Sequence, residues 1–264
     1  MNVLIEDLDL WVLDADPLFQ TQGLWERNLV LVAELTQYVL RSSSPAPAIF
    51  DGTTRLYISL VCPYAQRVWI ARNYKGLEAE IKVVPIDIKD KPQWYMEKVY
   101  QPGRVPCLEH NGKVMGESLD LLYYLDDHFT GPQLLPEEEE KVRFAKEMMG
   151  YASTFIKSGY TGLKGDALKD FGSALDALEA GLAKYGDGPF FLGEKLSMVD
   201  IAYAPFIQRF DILYPIFTKY DIFQGRPLLA SLYQELNKTE AFKKTKADPQ
   251  TLVTYYRQHF LGEK

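Results

Sequence analysis

The sequence predicts an α/β domain of element order β-α-β-α-β-β-α, followed by an all-helical domain. Three observations carry this. Residues 56–61 are mostly aromatic, β-branched or aliphatic, as a buried strand prefers, and run straight into a helical pattern at Pro63. A second β-branched run, residues 81–86, follows at the spacing of a βαβ unit, which implies parallel pairing with a right-handed crossover. Beyond Pro136 nearly every segment has helical periodicity.

The elements follow in order. Residues 1–22 carry Glu6, Asp7, Asp9, Asp14 and Asp16 and no Lys or Arg, unlike a secretory signal or an organelle transit peptide. Residues 24–40 read as a helix, with Leu24, Leu31, Leu35 and Val39 among its apolar positions. Its longest apolar run, 29–33, is too short to span a bilayer. Ser42-Ser43-Ser44-Pro45-Ala46-Pro47 has linker composition. Residues 1–48 are thus an extension, and the folded body is expected to start near Ile49.

Pro63 suits the first helical position, which makes Cys62 the N-cap or its neighbour. Ala65, Val68, Trp69 and the stem of Arg72 share one helix face, and Lys75-Gly76 ends the helix. After Lys91-Pro92-Gln93-Trp94 comes a short helix. Strands are expected at 107–110 and 113–115, joined by Asn111-Gly112, a type I′ hairpin signal. Gly116-Glu117-Ser118 opens a helix through Phe129, so the first domain spans 49–129. Gly131-Pro132 and Leu135-Pro136 break the chain. The second domain, 136–264, has helices expected over 137–157, 166–185, 197–214, 227–238 and 249–260. The acidic run 137–140 is a first turn that favours the helix dipole. Ser197 and Asp200 form a capping box ahead of a buried helix.

Composition narrows the function. The 264 residues carry a net charge of −7, which argues against nucleic acid as the main partner, because phosphate binding needs clustered Lys and Arg. A local basic pocket for an anionic ligand remains compatible with it. The two cysteines, Cys62 and Cys107, make no disulfide framework and fit a reducing compartment, the cytoplasm. His110, His128 and His259 are scattered without ligand spacing, so no metal is expected.

Cys62 is either a buried structural thiol or a nucleophile. Its place at a strand-to-helix joint favours the second reading. A sulfur there faces free backbone N–H groups and the positive end of the helix dipole, which ease ionisation. Such a joint lies at the C-terminal end of a strand, where α/β folds place their ligands.

The order of the first domain, with Cys-Pro at the first helix and Val105-Pro106 before the third strand, resembles the thioredoxin-like arrangement, in which that proline is cis. The whole chain from about residue 49 resembles a glutathione transferase, most closely the plant lambda class. The motifs that carry this are Phe50-Asp51-Gly52-Thr53-Thr54-Arg55-Leu56-Tyr57, Cys62-Pro63-Tyr64-Ala65-Gln66-Arg67, Val105-Pro106, Leu108-Glu109-His110-Asn111-Gly112-Lys113, Gly116-Glu117-Ser118, Asp187-Gly188-Pro189-Phe190-Phe191-Leu192-Gly193 and Ser197-Met198-Val199-Asp200-Ile201-Ala202. The Cys-Pro-aromatic-Ala motif separates the cysteine classes from those using Tyr or Ser.

The resemblance implies glutathione as co-substrate and a thioredoxin-like glutathione-binding domain. Ser118 would take the γ-Glu carboxylate, Glu117 its α-amino group, Val105 ahead of Pro106 the cysteinyl backbone, and Lys91 the glycyl carboxylate. Cys62 would form a mixed disulfide with glutathione, giving thiol transfer or reductive deglutathionylation of small electrophiles, quinones or flavonoid conjugates. Dehydroascorbate reduction and non-catalytic carriage of hydrophobic ligands are the alternatives. Cys107 reads as a buried thiol rather than a resolving cysteine. Aromatic residues such as Tyr151, Phe155 or Phe206 would line the acceptor side. The resemblance favours a monomer.

Overall fold

The structure is a computed structural model that describes residues 35–165 and 167–260. β1 (Thr54–Ile58) lies inside a four-stranded sheet of order β2-β1-β3-β4. It pairs in parallel with β2 (Ile81–Pro85), Leu56 opposite Val83, and antiparallel with β3 (Cys107–His110), Leu56 opposite Leu108. β4 (Lys113–Met115) closes a hairpin on β3 across Asn111 and Gly112, whose φ values of 50° and 70° suit a type I′ turn. Side chains alternate along β1. Leu56 and Ile58 join the core shared with the helices, while Tyr57 packs with Ile86, Trp94, Tyr95 and Cys107 on the other face. Both faces are covered, which is why the strand reads as a continuous apolar run.

α1 (Pro63–Tyr74) crosses from β1 to β2 and ends in a Schellman turn, with Leu77 N–H bonded to Arg72 O at 3.0 Å and Gly76 N–H to Asn73 O at 3.1 Å. The short helix expected near Trp94 is a π-helical turn, Tyr95–Val99, closed by Tyr100 N–H on Tyr95 O at 2.8 Å. The Val105–Pro106 peptide is cis, as the resemblance implies.

The start of the folded body differs from expectation. Leu40 bridges Ile86 in parallel at the open edge of β2: Leu40 N–H donates to Pro85 O and Asp87 N–H to Leu40 O, both at 2.9 Å. Arg41 Nε reaches Asp87 Oδ2 at 3.3 Å, and Trp94 Nε1 donates to Ser44 O at 3.0 Å. Among the described residues, pairing with the sheet therefore begins at Leu40 rather than near Ile49. A Ser/Pro-rich composition does not reveal that its backbone covers a strand edge, which otherwise presents unpaired N–H and C=O groups. The helix expected over 24–40 stops short of Leu40, and residues 24–34 of it lie outside the described residues. Leu40→Pro removes the donor to Pro85, and we expect a loss of about 1–2 kcal/mol, read as a lower thermal midpoint.

α2 (Ser118–His128) packs beside α1. The helical half follows as α3 (Glu139–Gly162), α4 (Leu168–Leu182), α5 (Met198–Thr218), α6 (Pro227–Lys238), a single turn α7 (Glu240–Lys243) and α8 (Pro249–His259). α3 runs past the expected end at 157, and at Gly159 it meets the Phe210 ring: a Cβ there would lie 2.3 Å from Phe210 Cζ. α5 is buried on nearly every side over its first four turns and forms the axis of this half. Asp200 anchors its start, accepting from Ser197 N–H at 2.8 Å, Ser197 Oγ–H at 2.5 Å and Phe191 N–H at 3.0 Å.

The connection between the two halves is anchored by a buried ion pair. Lys75 Nζ donates to Asp126 Oδ1 and to Pro132 O, each at 3.0 Å. Asp126 also accepts from Leu134 N–H at 2.9 Å and Leu135 N–H at 3.2 Å. Gly131 sits beneath this lock with φ 113°, and a Cβ on it would lie 2.3 Å from Lys75 O.

Candidate active site

Cys62 is the N-cap of α1, with extended φ and ψ of −84° and 117°, and its C=O accepts from Gln66 N–H at 3.1 Å. The Cys62 side chain makes no capping hydrogen bond, although the sulfur lies at the N-terminal end of the helix. Sγ donates to Val105 O at 3.8 Å, which brings the thiol to the cis-proline turn. The expected geometry is therefore present, but its expected electrostatic result is not. Burial pushes the Cys62 thiol above its ordinary value, outweighing the Ala65 N–H, Arg209, the Tyr64 N–H and Arg67, which all pull it down. Desolvation is an effect of the folded surroundings that a local sequence pattern does not contain.

The other expected residues gather around one short segment, residues 103–105. Lys91 Nζ donates to Gly103 O at 3.0 Å. Glu117 is the N-cap of α2 with φ 63°, a conformation few side chains adopt, and its Oε1 lies 3.0 Å from Arg104 Nη2 on the exposed surface. Val105 receives the thiol. Ser118 opens α2, and its buried Oγ accepts from Arg67 Nη1 at 3.1 Å. Lys91, Glu117 and Cys62 thus converge on three successive residues ahead of Pro106.

On the acceptor side the aromatics need correction. Phe155 is fully buried among Phe171, Tyr203 and Phe210 and is a core residue, not a lining one. Tyr151 is half-buried on α3. Phe206 has no exposed surface, yet Tyr64 meets it edge-on at 5.2 Å, and Tyr64 is exposed beside Cys62. Sequence reasoning missed the phenols. Tyr160 and Tyr256 stack with ring centroids 5.9 Å apart and share a hydroxyl–hydroxyl bond of 2.7 Å. Tyr255, Tyr256 and Tyr64 all feel the Cys62 charge, and burial holds each of them above the ordinary phenol value. The adjacent pair Tyr255-Tyr256 on the last helix was the available signal.

Also missed were the polar side chains that grip α1 from the helical half. Arg67 Nε donates to Ala202 O at 2.8 Å. Gln66 Nε2 donates to Gln208 Oε1 at 3.0 Å and to Thr245 Oγ1 at 3.2 Å. Arg209 donates from Nη1 to Gln66 Oε1 at 2.7 Å and to Pro205 O at 2.8 Å, and from Nη2 to Val61 O at 3.0 Å.

Cys107 has no exposed surface, and burial pushes its thiol to about 12. Such a thiol is inert at neutral pH. We expect Cys107→Ala to keep full turnover at saturating glutathione, checked by steady-state kinetics. Among the described residues, no group of three or more His, Cys, Asp or Glu could hold a metal ion, and no helix is long and apolar enough to cross a membrane.

Known proteins show the same architecture. The family models for the glutathione S-transferase N-terminal and C-terminal domains match residues 56–133 and 138–235. Glutathione S-transferase L3 of Arabidopsis thaliana is 51% identical over 84% of this chain and 94% of its own length. Protein IN2-1 homolog A of Oryza sativa subsp. japonica is 54% identical over 83% and 91%. The crystal structure of glutathione transferase Omega 3C from Trametes versicolor superposes with a TM-score of 0.68 at 26% identity, covering 83% of this chain and 96% of that one. The chain belongs to the glutathione transferase family, whose co-substrate is glutathione. Within that family it falls in the lambda class.

Proposed function

We propose that this transferase works through a cysteine, as a glutathione-dependent thiol transferase and deglutathionylase. The observation that supports the reading most is the position of Cys62: an N-cap sulfur at the start of α1, 3.8 Å from Val105 O at the cis-proline turn. A tripeptide laid along Val105 as an added strand brings its own sulfur to Cys62. Ser118 and the first N–H groups of α2 receive the γ-Glu carboxylate, Glu117 its ammonium, and Lys91 the glycyl carboxylate.

The Cys62 thiolate attacks the glutathionyl sulfur of a mixed disulfide. The S–S bond to the acceptor breaks, the acceptor thiolate leaves and takes a proton, and Cys62 holds glutathione. With a thioether conjugate the broken bond is S–C, and the departing carbanion is protonated to the reduced product. The thiolate of a second glutathione then attacks the bound glutathionyl sulfur, releasing the oxidised dimer and restoring the Cys62 thiolate. Neither step uses Cys107. The acceptors this reading favours are small aromatic conjugates, seated near Tyr64, Tyr160 and Tyr256.

Mass spectrometry after treatment with oxidised glutathione tests this. A glutathione-sized adduct is expected on the peptide carrying Cys62. An adduct on Cys107 alone, or none, overturns the reading.

A further inference from the structure

Two guanidinium groups stand beside the Cys62 helix with no carboxylate. Arg209 has no exposed surface and Arg67 has 2%. Neither is in an ion pair among the described residues, although Arg55, Lys75 and Arg226 all have acidic partners. Arg209 spends its donors on Gln66, Pro205 O and Val61 O, and its Nε has no hydrogen-bond partner. Arg67 spends its donors on Ala202 O and Ser118 Oγ, and its Nη2 has none. A buried charge without a counter-charge is costly and is normally paired.

Their placement shows what the charge faces. Arg209 holds residues 61 and 66, on either side of Cys62 in the chain. Arg67 is five residues along the same helix. The ionisable groups near enough to act on Arg67 include the Tyr64, Tyr203 and Tyr160 phenols and the Cys62 thiol. Those that feel Arg209 include Tyr160, Tyr233, Tyr255, Tyr256 and Cys62. Burial keeps every one of those phenols neutral near pH 7. Cys62 is the remaining group on both lists that ionises during the exchange.

We infer that Arg209 and Arg67 are positioning residues that serve jointly as the counter-cations of the Cys62 thiolate. They oppose the desolvation of the sulfur when it attacks. They stabilise it again when it leaves as the second glutathione resolves the mixed disulfide, a step that runs faster the better the leaving thiolate is stabilised. The inference rests on the proposed role of Cys62, but its test does not need turnover.

The test is the pH dependence of Cys62 alkylation by iodoacetamide without glutathione, quantified on the Cys62 peptide by mass spectrometry. In Arg209→Met and in Arg67→Gln we expect the apparent thiol pKa to rise by about one unit each, roughly a tenfold loss of thiolate at neutral pH. Arg209→Lys, which keeps the charge, should recover most of that loss. A merely structural role would lower the melting temperature and leave the alkylation pKa unmoved. That outcome in a folded variant, or an equal shift in Arg209→Lys and Arg209→Met, overturns the inference. If Arg209→Met does not fold, Arg67→Gln decides alone, because it removes a charge while keeping a polar side chain and leaving Arg209 in place. An adduct test failing at Cys62 while the alkylation pKa still shifts would sink the proposed reaction and leave the electrostatic pairing standing.

Discussion

Replacing Cys62 with serine is expected to lower thiol transfer by at least about 10³-fold, with no change in fold. The hydroxyl fits the same N-cap, and serine is a better capping residue than cysteine. What it loses is the ability to form a disulfide. Serine keeps an O–H that can bond the thiolate of bound glutathione, so a small conjugating activity toward electrophiles is expected to emerge. Parallel assays of the two reactions, with far-UV circular dichroism as the control, check this. Equal thiol transfer by both proteins would remove Cys62 from the chemistry.

The second large effect is on stability. Asp200 is fully buried at the start of α5, where one carboxylate satisfies three donors from two backbone N–H groups and a hydroxyl. Asp200→Ala leaves all three without an acceptor in a dry site, and we expect a loss of about 3–5 kcal/mol in urea unfolding. Burial outweighs the three hydrogen bonds and raises this carboxyl from 3.8 to about 6. Because the folded value lies above the unfolded one, the folded state holds the extra proton between them. The resulting stabilisation is complete below about pH 4 and is lost as pH rises through about 6. Against an Asp200→Asn variant, which cannot titrate, the parent protein should gain about 1–3 kcal/mol between pH 6 and pH 4. A pH-independent difference would mean that this carboxyl does not titrate in that window.

Much of the fold was legible because local signals and tertiary structure agreed. Strands 107–110 and 113–115 and helix 227–238 have the bounds the sequence implies, since Asn111-Gly112 and Pro227 fix their ends by backbone geometry alone. What was illegible came from through-space effects. The thiol of Cys62 is raised by burial, which a capping argument leaves out. Phe155 looks like any aromatic on an amphipathic helix until its neighbours from α4 and α5 enclose it. Arg67 reads as an ordinary helix charge, and its burial against Ala202 O and the Phe206 ring, 4.7 Å away, exists only once α5 is in place. Leu40 sits in a stretch whose composition signals a spacer, and a single bridge in the sheet overrides it.

The joint at Gly131 has one more implication. With the Lys75 carbonyl filling the space where any side chain would begin, no larger residue fits there unless the thioredoxin-like half and the helical half tilt apart. Close approach of main chain to main chain at this joint thus adds to the side-chain hydrogen bonds that hold α1 on the helical half. Trimming the exposed Tyr64 ring enlarges the space beside Cys62 without touching this joint.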